Sequence, residues 1–274
     1  MSAAPPPREL RDAAVEFARA AGAILLEGYG HAHRPERKGR IDLVTEYDRR
    51  SERLLLDAIA RRFPEHRVLA EESGASAPSG ATGTGSPPVR WLVDPLDGTT
   101  NFAHNYPFFC VSVAAEVDGR LAAAAVFDPV RDELFTAHEG GGARLNERAI
   151  HVSDIERVED ALLVTGFPYD VREHPERSLP LFQAFLMRAQ GLRRDGSAAL
   201  NLCYLATGRF DGFWEGHLSP WDMAAGVLIV REAGGVVTDY EGGPFRLDHK
   251  EILASNGQLH EEMKGVLAGA RVAR

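Results

Sequence analysis

Trp91-Leu92-Val93-Asp94-Pro95-Leu96-Asp97-Gly98-Thr99-Thr100-Asn101-Phe102 is the stretch from which the rest of this chain is best understood. The apolar run over residues 89–93 reads as a buried strand that delivers Asp94 at its end. Pro95 has no N–H and is expected to stop the ladder there. Asp97-Gly98 then turns the chain, and the amides of Gly98 and Thr99 are placed to open a helix. Two carboxylates three residues apart at a strand end can face one cation. The Leu96 carbonyl between them adds another hard oxygen ligand. A helix N-terminus beside such a site suits a phosphate group. Taken alone, the same residues also make an ordinary turn, because Asp-Pro and Asp-Gly are common turn dipeptides.

Upstream, Leu10, Ala14, Phe17, Ala21, Ile24 and Leu25 recur at helical spacing, which predicts an amphipathic helix ending near Gly28 or Gly30. A polar stretch and the run Ile41-Asp42-Leu43-Val44 follow. The pattern then predicts a second helix over 45–63 and a short strand over 67–70 that ends at Glu71. Residues 74–88 are rich in Gly, Ser, Ala, Thr and Pro and read as a mobile surface loop. Downstream, residues 110–117 and 121–127 form an expected hairpin about Asp118-Gly119, with a strand over 133–137 before the Gly140-Gly141-Gly142 turn. Beyond 150, strands over 161–165, 210–214, 236–239 and 252–254 alternate with helices over 176–190, 197–207, 220–233 and after Gln258. Antiparallel signals in the first half and βα alternation in the second predict a mixed α/β fold.

Composition bounds the chemistry. The chain has 274 residues and a formal net charge of -9. Such acidity argues against direct nucleic-acid binding, which needs an excess of Lys and Arg. If the ligand is a phosphate ester, positive charge must come from elsewhere, and a bound metal is the simplest source. Cys110 and Cys203 lack metal-ligand spacing and fit buried structural roles in a reducing compartment. No apolar run approaches the roughly 20 residues of a membrane helix, and residues 1–7 lack the features of a signal peptide. A cytoplasmic location is therefore expected.

Three further segments carry well-placed acids. Ala70-Glu71-Glu72-Ser73 ends a strand, and its plain reading is an exposed acidic loop. In Asp42-Leu43-Val44-Thr45-Glu46-Tyr47-Asp48, Thr45 and Asp48 make a capping pair at a helix start. In Ser219-Pro220-Trp221-Asp222-Met223-Ala224-Ala225-Gly226, Ser219 and Asp222 do the same, with Pro220 at the favoured first position. Each has an adequate structural explanation by itself, and their co-occurrence in this order is what changes the reading.

With those segments in view, the sequence resembles the inositol monophosphatase family of lithium-sensitive, magnesium-dependent phosphatases. The matching pieces are Asp42 to Thr45 with Asp48, Glu71-Glu72-Ser73, the Trp91–Phe102 stretch, and Trp221-Asp222 with Ala225-Gly226. Gly234-Gly235-Val236 and Gly243-Pro244-Phe245 match as well, and the similarity runs from about Leu10 onward. Ala70 replaces the Gly that commonly precedes the Glu-Glu-Ser run.

The resemblance implies a layered sandwich of alternating helix and sheet layers, and a homodimer. It implies a first metal site on Glu71, Asp94 and the Leu96 carbonyl, and a second on Asp94, Asp97 and Asp222. A third, weaker ion would sit near Glu71. Mg2+ is the implied ion, with Mn2+ as a possible substitute and Li+ or Ca2+ as inhibitors. Thr99 and Asp48, with Glu71, fall where the family orients the attacking water. Gly98 and Thr99 match its phosphate-binding turn. Gly196, Ser197, Ala198, Glu215 and Asp222 match the region that contacts the substrate, and Lys38 matches a basic residue on a mobile loop. The implied division is a flexible stretch over 1–7, a metal- and phosphate-binding part over 8–150 and a completing part over 151–274. The expected partner is a small phosphate ester, myo-inositol monophosphate first among them, with no membrane. Fructose 1,6-bisphosphate, histidinol phosphate or a nucleotide phosphate are the alternatives, and a transcription-associated protein of the same fold is the alternative of another class.

Overall fold

The computed structural model describes residues 4–31, 35–39, 42–76 and 89–272. In the first half the elements are α1 (Pro7–Gly28), β1 (Glu36–Arg37), β2 (Leu43–Val44), α2 (Glu46–Arg62), β3 (Arg67–Ala70), β4 (Gly74–Ser76) and β5 (Val89–Asp97). Then come α3 (Thr99–Ala103), β6 (Cys110–Val117), β7 (Arg120–Asp128), β8 (Glu133–His138), β9 (Ala143–Leu145) and β10 (Arg148–Ala149). The second half holds β11 (Leu162–Thr165), α4 (Leu179–Leu186), β12 (Gly191–Arg193), α5 (Ala198–Ala206), β13 (Gly212–Gly216), α6 (Pro220–Glu232), β14 (Val236–Thr238), β15 (Glu251–Ser255) and α7 (His260–Val272).

Two sheets organise the molecule. The larger has the order β10-β9-β8-β7-β6-β5-β3-β4 and the smaller β12-β11-β13-β15-β14. Both are buried on two faces, so successive side chains along a strand enter different cores. In β5, Trp91 and Val93 face α1 and α2, while Leu92 faces α5 and α6. In β13, Phe213 faces α5 and α6, while Trp214 faces α4 and α7. The layers therefore run α1/α2, large sheet, α5/α6, small sheet, α4/α7, as the resemblance implied. The central core joins residues from both halves of the chain, among them Leu92, Ala124, Leu202 and Phe213. There α5 and α6 approach closely, since a Cβ on Gly226 would lie 2.5 Å from Leu202.

The structure corrects several local expectations. Pro95 interrupts the ladder without ending it: β5 pairs with β6 through Asp94↔Ser112 and again at Asp97↔Cys110. The helix expected over 176–190 shrinks to α4, because Pro180 lacks an N–H and belongs in a first turn. A short 3-10 turn, Pro175–Arg177, precedes it. The strand expected over 210–214 sits two residues later, as β13. Residues 74–76, read as loop, form β4, and β1, β9, β10 and β12 were not anticipated. These strands are two or three residues long, too short for an alternating pattern to show. Residues 1–3 and 77–88, where a flexible start and most of the 74–88 loop were expected, lie outside the described residues.

Candidate active site

Strand register assembles the first pair of carboxylates. β3 runs parallel to β5 with Ala70 opposite Val93, so Glu71 and Asp94 emerge side by side at the same sheet edge. Asp94 is 2% exposed, and its Oδ1 accepts from the Leu96 amide at 2.9 Å. That bond closes a tight loop over Pro95 and holds the carboxylate at the strand end. The Ser51 hydroxyl, on α2, donates to the Pro95 carbonyl at 2.8 Å and pins the interruption from below.

Two helix starts add the next carboxylates. Asp97 Oδ2 accepts from the Ser197 hydroxyl and from the Ala199 amide, both at 2.7 Å, so it caps the opening of α5. Asp222 lies in the first turn of α6, where its Oδ2 accepts from the Ser219 amide at 2.7 Å. Both helices turn their positive ends toward the acids they hold.

These acids are out of water and near one another. Burial pushes the Asp94 carboxyl well above the usual range, and Glu71, Asp97 and Asp222 push it the same way. Burial raises Glu71 to about 7 and Asp97 to about 6. Burial also raises Asp222 strongly, with Asp97 as its next cause. The protein thus holds four like-charged groups whose ionised forms lack sufficient local compensation. Among the described residues Lys38 reaches in, 3.0 Å from Glu71 Oε1 and bonded also to Glu72. Burial works against its ammonium, but Glu71 and Glu72 outweigh it and raise its pKa.

Beside the acids stands a relay. The Thr99 hydroxyl is 2.9 Å from Asp48 Oδ1 and 3.0 Å from the Leu96 carbonyl. Its single proton serves one acceptor at a time. Asp48 Oδ2 accepts from the Thr45 amide at 2.8 Å and its hydroxyl at 2.6 Å, so the capping pair and the relay are one device. Gly98 opens α3 with φ +95, and a Cβ there would lie 2.9 Å from the Phe108 carbonyl. Gly98→Ala is expected to cost about 2–3 kcal/mol, from left-handed strain plus a backbone clash, and to lower activity further by moving Thr99. Urea unfolding and kcat/KM check this; wild-type values for both would refute it.

The wall opposite comes from the second half. Gly196 adopts φ +85, Ser197 caps α5, and Ala198 begins that helix. Burial raises Glu215 to about 8, with Arg194 opposing and Asp97 reinforcing the shift. Glu215 packs directly on Gly166, where any Cβ would strike its carboxylate. All the site residues expected from the sequence are thus brought to one region.

Three further residues, which the motifs did not single out, contribute to the site. Asn101 donates to the Phe108 and Asp195 carbonyls, both at 2.7 Å, and ties α3 to the approach of α5. Ser51 supports Pro95 as described. Tyr169 keeps an exposed ring, yet burial of its hydroxyl and the nearby Asp42, Glu71 and Asp222 carboxylates raise its pKa. Only Asn101 carried a sequence signal, its place in the quoted stretch. Cys110 lies 3.9 Å from Asp97 Oδ2, and burial pushes its thiol up, which fits an inert structural group.

The donor chemistry suits hard divalent cations: carboxylates and a backbone carbonyl, with no soft ligand among them. Among the described residues no three acidic, imidazole or thiol groups close around a single point as a finished ligand shell. The raised pKa values express the same fact electrostatically, because a cation would relieve them all.

This layered fold and its convergent acids define a metal-dependent phosphatase. The model of the inositol monophosphatase family matches residues 7–273, and the chain belongs to that family. It is similar to an inositol-1-monophosphatase of Synechocystis sp., 46% identical over 93% of this chain and 87% of that one. It is also similar to the Nus factor SuhB of Vibrio cholerae, 41% identical over 89% of this chain and 90% of that one. Among solved structures, an inositol monophosphatase from Anabaena (Nostoc) sp. superposes with a TM-score of 0.86 at 42% identity, covering 96% of both chains.

Proposed function

We propose that this phosphatase hydrolyses myo-inositol monophosphate to inositol and phosphate in a Mg2+-dependent reaction. The observation that carries this reading is the Thr99–Asp48 relay next to Asp94 and Glu71, which the β3–β5 register sets side by side, with Asp97 and Asp222 near enough to act on Asp94. The similarity to named inositol monophosphatases supports the substrate. Residues 8–150 supply the phosphate contacts and all the metal contacts but Asp222, and residues 151–274 complete the site.

Glu71, Asp94 and the Leu96 carbonyl would hold one ion, and Asp94, Asp97 and Asp222 a second; a third would rest near Glu71. When bound, the ions supply an acidified water and neutralise charge on the phosphate and the departing oxygen. Thr99 donates its proton to Asp48 Oδ1, which would leave its Oγ1 free to accept a hydrogen bond from an attacking water. Asp48 is held for this by Thr45, and it receives the proton at Oδ1. The Gly98 and Thr99 amides orient the phosphate. Glu215, Ser197 and the Gly196–Ala198 backbone orient the alcohol, whose hydroxyls pair with a carboxylate and a helix start. Lys38, 3.0 Å from Glu71, supplies a cation beside the phosphate.

A phosphate-release panel tests the reading with myo-inositol 1-phosphate, fructose 1,6-bisphosphate, histidinol phosphate, NADP and 3′-phosphoadenosine 5′-phosphate. The inositol ester is expected to lead in kcat/KM by tenfold or more, and a chelator to abolish turnover. A lead by another ester replaces the substrate; turnover unaffected by the chelator overturns the metal reading.

The similarity to proteins named Nus factor SuhB supports a second role as a Nus factor. Co-purification with RNA polymerase tests it. A cytoplasmic homodimer fits both readings, and the exposed Leu186 at the end of α4 and Met187 just after it offer apolar surface for a second copy. Light scattering on the purified chain checks the dimer.

A further inference from the structure

Helix α2 carries three buried polar side chains along the face it turns inward. Asp48, Ser51 and Glu52 stand at i, i+3 and i+4, so they share that face, and each is at most 4% exposed. Leu55 and Ile59 continue the same face as apolar core. Apolar packing thus docks the later turns of the helix, and hydrogen bonds dock the turns nearest the acids. Burying a carboxylate such as Glu52 is costly unless it is bonded, and its partner shows what the bond does.

Each of the three side chains holds a different segment of the site. Asp48 Oδ1 accepts from the Thr99 hydroxyl at 2.9 Å, at the start of α3. The Ser51 hydroxyl donates to the Pro95 carbonyl at 2.8 Å, in the interruption of β5. Glu52 Oε2 accepts from the Glu72 amide at 2.8 Å, just beyond β3.

A peptide group is planar and ties two Cα atoms together. The Glu72 amide lies in the plane that begins at the Glu71 Cα, so Glu52 orients the root of the Glu71 side chain through one peptide group. The last residue of β3 in the ladder is Ala70, and the strand register by itself leaves the backbone of Glu71 free to turn. The Pro95 carbonyl lies in the plane that contains the Leu96 N–H, and that N–H donates to Asp94 Oδ1. Ser51 therefore acts on the Asp94 carboxylate, also through one peptide group. Ser51 and Glu52 are consecutive, with Cα atoms about 3.8 Å apart. A single helical step thus links the planes behind Glu71 and Asp94.

We infer that Glu52 is a positioning residue for Glu71, with Ser51 as its counterpart for Asp94, and that this face of α2 sets the spacing of the two carboxylates assigned to one cation. The inference rests on the metal reading of the site given above. Glu52 itself is assigned no contact with a cation or with the ester.

The test is Mn2+ titrated calorimetrically into the chelator-treated full chain, with hydrogen exchange at the Glu72 amide followed on the metal-free protein. Wild type is expected to bind Mn2+ saturably. Glu52→Ala is expected to speed exchange at Glu72 and to weaken Mn2+ binding about tenfold or more, as loss of a group that orients a metal ligand does. Glu52→Gln keeps an oxygen acceptor of the same reach and is expected to recover most of both losses. In turnover, Glu52→Ala should raise the half-saturating Mg2+ concentration by a similar factor and leave KM for the ester at saturating Mg2+ nearly unchanged. Arg53→Gln, on the exposed face of the same helix, should alter none of these quantities. Should Glu52→Ala fail to fold, Ser51→Ala removes the companion hold at the loss of one oxygen, with a several-fold loss of Mn2+ affinity expected. The assignment is overturned if the Glu52→Ala and Ser51→Ala chains bind Mn2+ like wild type, if exchange at Glu72 quickens with no loss of metal affinity, or if Glu52→Gln is as impaired as Glu52→Ala. Failure of the wild type to bind Mn2+ would overturn the metal reading itself, and this assignment with it.

Discussion

Replacing Asp94 by asparagine is expected to lower kcat/KM for phosphate-ester hydrolysis by at least about 10³-fold while leaving the fold intact. That loss corresponds to about 4 kcal/mol of transition-state stabilisation. Asp94 is the acid on which Glu71, Asp97 and Asp222 all act, and under the proposed function it would contribute to both cation positions. Asparagine keeps the shape and an oxygen that can accept from the Leu96 amide, the one local bond the carboxylate makes to the backbone. It removes a charge from a crowded acidic cluster. The metal-free variant should therefore melt no lower than wild type, and a rise of a few degrees follows from relief of like-charge repulsion. Initial rates over a range of ester and Mg2+, with calorimetry on the same samples, measure both effects. Metal-dependent turnover within tenfold of wild type would remove Asp94 from the centre of the site. So would a collapse of the melting temperature, which would make the lost activity a folding effect.

The second large effect is the pH dependence of the chelated protein. Asp97 rises from 3.8 to about 6, Glu71 from 4.5 to about 7 and Glu215 from 4.5 to about 8 on folding. Between about pH 4 and 8 the folded chain thus holds protons that the unfolded chain has released. Stability therefore falls as pH rises through that window. Below it both states are protonated and the penalty vanishes; above it the penalty is complete. Divalent cations compete with those protons for the same oxygens, so stabilisation by metal grows with pH. The melting temperature of the chelated protein should drop from pH 5 to pH 8, and saturating Mg2+ should raise it more at pH 8 than at pH 5. A flat or rising profile without metal, or equal gains at both pH values, would contradict the arrangement of buried acids.

Much of this site was legible in the chain. The run into Asp94, the Asp97-Gly98 turn and the caps at Thr45 and Ser219 are local chemistry, written in adjacent residues. What the local reading missed was double use. Asp48 was assigned to a helix cap, and it is one, but its second oxygen holds Thr99. Asp97 was assigned to a turn, and it also caps α5, some hundred residues onward. Pro95 was expected to end a strand that instead resumes at Asp97, because the Ser51 and Asp94 hydrogen bonds satisfy the gap. Asn101 and Tyr169 act through segments remote in sequence, and periodicity says nothing about such meetings.

The quoted stretch, Trp91 to Phe102, determined by itself that an apolar strand must end in paired acids and a glycine turn. Propensity, proline geometry and left-handed backbone are properties of neighbours along the chain. Whether those acids were a turn or half of a site depended on what stood beside them. The parallel register of β3 on β5 decided that Glu71 meets Asp94. The packing of α5 and α6 against the large sheet brought Asp97 and Asp222 near enough to act on each other. Burial then raised their pKa values together, an effect of shared desolvation that no single segment possesses.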